Sequence, residues 1–317
     1  MAPGPKKPVL IIGFVRKEGL ERTLYSLVQA GSMDIYLAID GPKNLDQASL
    51  QTEMVKSAKR IASNSGVDLR IWQRNQNRGL AVSVITAIDW FFSEVNEGII
   101  LEDDLYFNKN FIDFASQALD HFREDHDTWL ISGNNFNPKI SKVATNSWST
   151  YPLIWGWATW KSRWEVMRAE LLSGESLSRM SASRRVKSFW RTAYQRATTG
   201  RTDSWAAPLA AVQRANLKFT VVPQFNLVSN IGNDESASHT SEGSAHMNLL
   251  IPNKKISHQF SFLHRKEISE ETDIFLEEFI YKISWKNNFS YCAMKLFDWL
   301  KFPKKNRKKS LASILSD

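Results

Sequence analysis

Three features that this 317-residue chain lacks limit the class of protein to which it can belong. It holds a single cysteine, Cys292, which excludes an internal disulfide and a cysteine-based metal site. No apolar run reaches the roughly 18 residues needed to span a bilayer, so no transmembrane segment is expected. The first apolar run, near the amino terminus, is too short for a secretory signal and lacks a cleavage pattern. We therefore expect a cytoplasmic protein.

Glycine is scarce where nucleotide-binding loops need it. Gly13 stands alone after the first apolar run, and no Gly-x-Gly-x-x-Gly follows it. The sequence therefore argues against a dinucleotide-binding Rossmann site and against a P-loop.

The positive charge is concentrated near the carboxyl terminus. The chain has a net charge of +8. Six of those charges, and no acid, lie between Lys301 and Lys309, so the rest of the chain carries only +2. This distribution favours a solvated or membrane-facing tail over a nucleic-acid groove in the body.

Apolar runs alternate with helical patterns along most of the chain. Strands are predicted at 8–14, 35–39, 67–72, 99–101, 128–132 and 217–222. Helices are predicted at about 17–28, 46–64, 77–95, 110–123, 160–168, 182–198 and 205–216. Such alternation indicates an α/β fold with a mostly parallel sheet flanked by helices. We expect one domain at 1–250 and a helical segment with a basic tail at 251–317.

Three carboxylates, Glu102, Asp103 and Asp104, come directly after a buried strand. Placing three like charges together at a strand end is costly unless a cation neutralises them. Hard divalent ions such as Mg²⁺ and Mn²⁺ take carboxylate oxygens together with substrate phosphates. The triplet therefore predicts a metal site at the carboxyl edge of the sheet, with a solvated acidic turn as the alternative.

Tryptophans cluster between Trp148 and Trp164, which hold five of the chain's 12. Aromatic faces serve as core material or as platforms for sugars. We expect most of them to be core and one or two to face a substrate. Residues 272–302 are predicted as an apolar helix followed by the basic run. That helix suits an anionic membrane surface or, alternatively, packs on the domain with a solvated tail.

The order of these features resembles a known family. Arg16 and Asp40 follow the first two strands; Asn77-Arg-Gly-Leu-Ala, Glu102-Asp-Asp104, Tyr151-Pro…Trp155-Gly-Trp and Asp203-x-Trp205 come after them. Together they resemble GT-A-fold glycosyltransferases of the branch related to N-acetylglucosaminyltransferase I and its bacterial relatives. The resemblance covers about residues 8–240.

The resemblance implies metal-dependent transfer of a sugar from a nucleotide-diphosphate sugar, of the uridine class, with inversion at the anomeric carbon. Asp104 would be the metal ligand and Asp203 the catalytic base. Asp103 and Glu102 would lie near the donor, and Arg16, Asp40 and Arg78 would contact the nucleotide. The implied metal is Mn²⁺ or Mg²⁺.

The sequence departs from the family in two places. Ser204 replaces the second acid of the family's Asp-Asp-Trp motif, so the base assignment rests on Asp203. The amino-terminal anchor of the Golgi members is not found, which argues against a protein acceptor; with the basic tail, the expected acceptor is a surface polysaccharide or glycolipid.

Each assigned residue has a simpler alternative role. Asp203 could cap the helix ending near Asn216. Asp40 could be a turn former, and Arg16 a surface residue at a helix start. His239, in the polar loop, could complete the metal shell or be solvated.

Two other functions stay open at this stage. A sugar-1-phosphate nucleotidyltransferase also has a parallel sheet and acidic metal ligands, but it normally carries a glycine-rich loop after its first strand. A non-catalytic carbohydrate-binding protein could use the tryptophan cluster. The glycosyltransferase is the main hypothesis, with a glycan acceptor and a basic tail able to touch an anionic membrane.

Overall fold

The computed structural model describes residues 6–136, 146–231, 251, 260–263 and 270–283. Its centre is an eight-stranded sheet in the order β3-β2-β1-β4-β8-β6-β9-β7, and β10 pairs with β5 in a second, two-stranded sheet. The strands are β1 (Val9–Gly13), β2 (Asp34–Ile39), β3 (Asp68–Gln73), β4 (Glu97–Glu102), β5 (Leu105–Phe107), β6 (Thr128–Ser132), β7 (Asn146–Ser149), β8 (Trp157–Trp160), β9 (Phe219–Pro223) and β10 (Val228–Asn230).

Six of the eight strands run parallel to one another. β1 pairs in parallel with β2 and β4, β2 with β3, and β6 with β9, whereas β8 and β7 run antiparallel to their neighbours. Central strands such as β1 (Val-Leu-Ile-Ile-Gly) are apolar at nearly every position because both of their faces are covered. The predicted fold class, a mostly parallel α/β sheet flanked by helices, is confirmed.

Helices cover both faces of the sheet. One layer of the core packs α3, α5, α6 and α7, and the other packs α1, α2 and α4. The helices are α1 (Lys17–Gln29), α2 (Leu45–Ser65), α3 (Leu80–Glu94), α4 (Lys109–His121), α5 (Lys161–Ser173), α6 (Arg184–Thr198), α7 (Ala206–Ala215) and α8 (Glu270–Phe275).

The sequence did not predict four of the strands. β7 and β8 lie between the strand predicted at 128–132 and the helix predicted at about 160–168, and β5 and β10 pair only with each other. All four have three or four residues, which is too short for an alternating pattern to be recognised.

The predicted helix over 272–302 does not continue through its described part. α8 is followed by a π-helical turn at Leu276–Ile280, and Lys282 then takes a left-handed conformation with φ of 53°. Tyr281 packs its ring 5.1 Å from Tyr151 and 4.9 Å from Trp190, so tertiary packing breaks the helix there. Residues 284–317, with the basic tail, lie outside the described residues.

Two short pieces of the carboxyl-terminal region pack on the main sheet. Phe260 and Phe262 contact Phe114 on α4, and Leu276 and Ile283 are buried. The boundary between 1–250 and 251–317 remains a prediction. None of the helices in the described part of the chain has the length and apolar character needed to cross a bilayer.

Candidate functional site

The acidic triplet lies where the order of the sheet reverses. From β1 the chain moves outward through β2 and β3, then returns to place β4 on the other side of β1. Open α/β sheets bind ligands outside the carboxyl ends of the strands at such a switch point. Ile12 pairs with Glu102 across β1 and β4, so Arg16 and the acids that follow these strands meet at this edge.

Arg16 faces the acids rather than solvent. Its Nη1 lies 2.8 Å from Asp104 Oδ2 and 3.4 Å from Asp103 Oδ1. Asp103 also accepts a hydrogen bond from the Phe14 backbone N–H at 3.0 Å, through Oδ2. Arg16 does lie at a helix start, as the simpler alternative has it, but its side chain is only 23% exposed and pairs with the acids. Asp103 ties the end of β1 to the end of β4.

Helix α1 begins directly against this motif. A side chain at Gly19 would place its Cβ 2.0 Å from the Asp103 carbonyl oxygen, so only glycine permits the contact. The first turn of α1 thereby lies close to the acidic triplet, with Arg16 as the residue preceding the helix.

The three carboxylates destabilise one another's charged form. Burial raises the pKa of Glu102 to about 8, with further contributions from Asp104 and Asp103. Burial, together with Asp104, raises the pKa of Asp103 to about 6, although Phe14 and Arg16 oppose the shift. Burial also raises the pKa of Asp104, and Arg16 opposes it. The site therefore favours an additional positive charge.

The acid chemistry of this edge fits a hard cation. Asp104 Oδ1 is buried and has no donor within hydrogen-bond geometry among the described residues, although the Asn230 side chain on β10 is near enough to oppose the rise in the pKa of Asp104. A buried carboxylate oxygen without a donor is costly, and a cation would satisfy it. Among the described residues no group of three or more metal-ligating side chains occurs. His239 lies outside the described residues.

Asp40, at the end of β2, is held by the loop that precedes α3. It accepts hydrogen bonds from Asn77 Nδ2 at 2.9 Å and from the Arg78 backbone N–H at 3.1 and 3.2 Å. Buried Gln51 of α2 donates to the carbonyls of Phe14 and Asp40, which fixes the ends of β1 and β2 relative to each other. Asp40 thus organises a long-range contact beyond a local turn.

A shallow cleft lies beside Asp40, with an interior volume of about 10 Å³. Trp72, Arg74 and Ser83 contribute to its walls, with Ile12, Ala38, Ile39 and Ala87. The Arg74 guanidinium lies 4.3 Å from the centre of the Trp72 ring, and burial lowers the pKa of Arg74. Ser83 Oγ is buried without a hydrogen-bond partner among the described residues. The sequence analysis assigned none of these residues.

Asp203 caps a helix, but not the predicted one. Its Oδ2 accepts from the Leu80 backbone N–H and its Oδ1 from the Ala81 N–H, both at 2.9 Å, at the start of α3. Gly79, with φ of 83°, leaves room for this carboxylate, because a Cβ there would lie 3.0 Å from Asp203 Oδ2. Ser204 Oγ instead accepts from an N–H in the first turn of α7. The hypothesis that Asp203 caps α7 is wrong.

Most of the tryptophan cluster belongs to the core, as expected. Trp148, Trp157, Trp160 and Trp164 are buried, and only Trp155 is partly exposed. Its ring packs edge-on against Phe136, with 4.9 Å between the centroids.

Two residues near the site that were not predicted, Gln51 and Ser83, share one weak signal in the sequence. Gln51 sits on the apolar face of α2 with Met54, Ala58 and Ile61. A polar residue at such a position indicates a specific hydrogen-bonding role. Ser83 gives the same signal on α3, whose other buried positions are nearly all apolar.

Comparisons with known proteins add a likeness of fold. No family model matches the chain, and no curated protein matches it. Among solved structures, a UDP-glucose pyrophosphorylase complexed with UDP-glucose covers 70% of this chain and 91% of its own, with a TM-score of 0.37 and 10% identity. A 4-diphosphocytidyl-2C-methyl-D-erythritol synthase from Anaerococcus prevotii covers 54% of this chain and 78% of its own, with a TM-score of 0.36 and 12% identity.

A third similar structure is a candidate glucose-1-phosphate thymidylyltransferase from Bacillus anthracis, in complex with sucrose. It covers 51% of this chain and 74% of its own, with a TM-score of 0.31 and 10% identity. Likeness at this level concerns the course of the backbone and carries no argument about activity.

Proposed function

We propose that this protein is an inverting, metal-dependent glycosyltransferase that uses a nucleotide-diphosphate sugar, of the uridine class. The observation that carries the proposal is the buried Asp104 Oδ1 without a hydrogen-bond donor among the described residues, set in a row of three acids of which Asp103 and Asp104 share Arg16 at the switch point of the sheet. The nucleoside is proposed to lie over the shallow cleft at Asp40, because that cleft adjoins the ends of β1 and β2. The resemblance to the N-acetylglucosaminyltransferase I-related branch is part of this proposal.

We assign the proposed roles according to which strand each residue follows. Asp40, with the cleft walls Trp72 and Arg74, holds the nucleobase and ribose. Asp104 would hold the cation, with His239 as a further candidate ligand. A bound Mn²⁺ or Mg²⁺ would supply Lewis-acid stabilisation of the leaving diphosphate. Asp103 positions Arg16 and the end of β1, which keeps the acids in register.

Glu102 and Arg78 complete the donor side of the proposal. Glu102 would accept hydrogen bonds from the donor sugar or base, for which its position at the end of β4 is suited. The Arg78 backbone already holds Asp40, and its exposed side chain would contact the donor phosphates.

The chemistry needs one general base. The acceptor hydroxyl oxygen forms a bond to the anomeric carbon while the bond from that carbon to the diphosphate oxygen breaks, and the hydroxyl proton passes to Asp203. The nucleoside diphosphate leaves from the opposite face, which gives inversion without a covalent intermediate. The two backbone N–H groups of α3 fix the Asp203 carboxylate, and the side chain is exposed to an incoming acceptor.

Isothermal titration of UDP, with and without Mn²⁺, tests the donor site. We expect metal-dependent binding in the wild type and its loss in Asp104→Ala. Binding of sugars that ignores chelators and this substitution would point instead to a non-catalytic carbohydrate-binding protein. Release of pyrophosphate from a nucleoside triphosphate and a sugar 1-phosphate would identify a nucleotidyltransferase.

Asp203→Asn tests the base with its structural role preserved. The amide oxygen still accepts one N–H of α3, so UDP affinity should stay within about twofold. Transfer should fall by about 100-fold or more, as expected for loss of a general base. A normal transfer rate in this variant would leave Asp203 with a capping role only.

The acceptor is proposed to be a surface glycan or a glycolipid. The basic run from Lys301 to Lys309 would bring the protein to an anionic membrane that carries it. Truncation after Phe302 should weaken sedimentation with phosphatidylglycerol vesicles. Unchanged sedimentation would dismiss this role of the tail.

A further inference from the structure

Two large apolar side chains are exposed beside the acidic triplet. Tyr106 on β5 is 47% exposed, and Ile231, directly after β10, is 39% exposed. Single exposed apolar side chains are common on protein surfaces, whereas neighbouring ones more often mark a binding surface. The position of these two side chains relative to Asp104 decides between the two possibilities.

The pairing of β5 with β10 places both side chains on one face of this two-stranded ribbon. Tyr106 pairs with Ser229, and the Ile231 N–H donates to the Asp104 carbonyl at 2.9 Å, which continues the same antiparallel register. In such a ribbon directly opposite residues share a face, and so do residues two apart on one strand. Tyr106 and Ile231 are therefore diagonal neighbours, about 7–8 Å apart at the backbone. The face they share, here called the outer ribbon face, consists of Asp104, Tyr106, Ser229 and Ile231.

The other face of the ribbon is buried, so the outer ribbon face is fixed toward solvent. Leu105, Phe107 and Val228 are at most 2% exposed. A Cβ at Gly156, before β8, would lie 2.9 Å from Val228 Cγ2, and one at Gly133, after β6, would lie closer still. Val228 thereby packs the ribbon directly against the chain at the ends of β8 and β6.

The outer ribbon face and the proposed nucleoside site lie on opposite sides of Asp104. In the sheet order β2-β1-β4-β8-β6, the cleft at Asp40 lies at the end of β2, and Asp104 follows β4. The ribbon lies beyond it, where the Leu227 N–H donates to the Gly133 carbonyl at 2.9 Å. With the nucleoside over Asp40 and the cation at Asp104, the sugar substrates would lie at the ribbon.

The segment that carries the proposed base reaches the same part of the edge. Trp205, which follows Asp203 by two residues, stacks on Trp157 at the start of β8, with 6.0 Å between the ring centroids. Val228 of the ribbon packs on Gly156, the residue before Trp157. A ligand on the outer ribbon face would therefore adjoin the proposed metal ligand and lie across the start of β8 from the segment with the base.

The composition of the outer ribbon face favours a neutral sugar. A pyranose with equatorial substituents presents an apolar face of axial C–H bonds, which packs on an aromatic ring and an aliphatic side chain. The Tyr106 hydroxyl can exchange a hydrogen bond with a sugar hydroxyl. Asp104, assigned to the cation, is the one charged member of this face. A neutral glycan therefore matches the face better than an anionic one.

We propose that the outer ribbon face binds the acceptor, a neutral glycan whose gluco-configured pyranose packs on Tyr106 and Ile231. That the glycan is the acceptor rests on the proposed glycosyltransferase activity; binding of the ring to the face does not. The donor nucleoside and the acceptor would then be held on opposite sides of Asp104.

Saturation-transfer NMR on the full-length protein tests this surface, with and without UDP and Mn²⁺ and with cellotetraose and chitotetraose as neutral probes. At least one tetrasaccharide should bind, and Tyr106→Ala should weaken that binding about tenfold, as expected for loss of an aromatic contact. Ile231→Ser should weaken it about threefold, because less apolar area is lost. Tyr106→Phe keeps the ring and should retain most of the affinity. Binding of neither tetrasaccharide to the wild type would overturn the proposal.

Exposed residues of the same types elsewhere supply matched controls. Tyr25 on α1 is 51% exposed and Ile274 on α8 is 50% exposed. Tyr25→Ala and Ile274→Ser should leave tetrasaccharide binding unchanged. Equal losses in Tyr25→Ala and Tyr106→Ala would overturn the proposal, because binding would then not depend on the outer ribbon face.

Other outcomes separate the rival occupants. If Tyr106→Ala weakens binding of UDP-glucose but not of UDP or the tetrasaccharides, the face holds the donor sugar and the acceptor assignment is wrong. Phosphatidylcholine vesicles that bind the wild type but not Tyr106→Ala, with tetrasaccharide binding unchanged, would assign the face to lipid instead.

The same measurements distinguish this proposal from the proposed function. Tetrasaccharide binding that depends on Tyr106 while UDP fails to bind would keep the outer ribbon face and reject the glycosyltransferase. Metal-dependent UDP binding with tetrasaccharide binding that ignores Tyr106→Ala would reject the face and leave the glycosyltransferase standing.

Discussion

The protein contains two groups of buried acids that differ in how completely their oxygens are hydrogen-bonded. At the carboxyl-terminal segment, Asp273 accepts hydrogen bonds from the Ser149 hydroxyl and from the Thr150 backbone and hydroxyl. Glu277 accepts from the Tyr151 hydroxyl at 2.6 Å. At the strand edge three acids are adjacent, of which Asp103 and Asp104 share Arg16, and Asp104 Oδ1 has no hydrogen-bond donor among the described residues.

Burial raises pKa values in both groups, so a shift by itself does not mark the functional one. The difference lies in hydrogen bonding. Asp273 has donors on both oxygens and connects α8 to the end of β7, whereas Asp104 Oδ1 has no hydrogen-bond donor among the described residues. An unsatisfied buried acid is therefore the better sign of a ligand site.

Asp104→Asn should have the largest effect on activity. Transfer should fall about 1000-fold, since stabilisation of the leaving diphosphate contributes several kcal/mol. The ligand-free protein should become more stable, because the buried Asp104 carboxylate, which raises the pKa of Glu102 and Asp103, is replaced by a neutral group. Steady-state kinetics measure the loss of transfer, and thermal unfolding in the presence of chelator measures stability. A fall in melting temperature would contradict the proposed difference between the unsatisfied Asp104 and the hydrogen-bonded Asp273.

Asp273→Ala should show the reverse pattern. Removing this acceptor leaves the Thr150 N–H and two hydroxyls buried without partners, which should cost about 3 kcal/mol of unfolding free energy. UDP affinity should be unchanged, since these groups lie on β7 and α8. The control is Asp127→Ala, which breaks a half-exposed pair with Lys218 and should cost at most about 1 kcal/mol.

The strand-edge acids should make stability fall as pH rises. The pKa of Glu102 is about 8 in the folded protein against an ordinary 4.5, so between these values the folded state keeps a proton that the unfolded chain has lost. Denaturant unfolding of the ligand-free protein from pH 5 to pH 9 should show this slope. Glu102→Gln should reduce the pH dependence of the unfolding free energy and raise the melting temperature above pH 7 by about 4 °C. An equal pH dependence in both proteins would show that Glu102 does not cause it.

The smallest predicted effect is on UDP binding, and it distinguishes two arginines near β2 and β3. Arg74 stacks on Trp72 in the cleft, whereas Arg70 stacks on Tyr36 at the opposite end of β2 and β3. Arg74→Ala should weaken UDP binding about fivefold, the loss of one partly desolvated cation contact. Arg70→Ala should leave it unchanged, and equal losses would exclude the cleft as the nucleoside site.

Most of the fold could be predicted from the sequence because its long elements have strong periodicity. The boundaries of β1, α2 and α4 lie within about two residues of the predicted ones. The short strands β5, β7, β8 and β10 could not be predicted, because three or four residues form a strand only when a partner is present.

Sequence alone determined the alternating α/β architecture and the placing of Glu102–Asp104, Arg16 and Asp40 after strands, since parallel strands end at one edge. Tertiary structure decided the partners: Arg16 with the acids, Asp40 with the loop before α3, and Asp203 with α3 across 122 positions. Those contacts join segments far apart in the chain, where local propensity has no influence. The hydrogen bonds that form only on folding therefore determine which buried acid has donors on both oxygens and which has an oxygen without a donor.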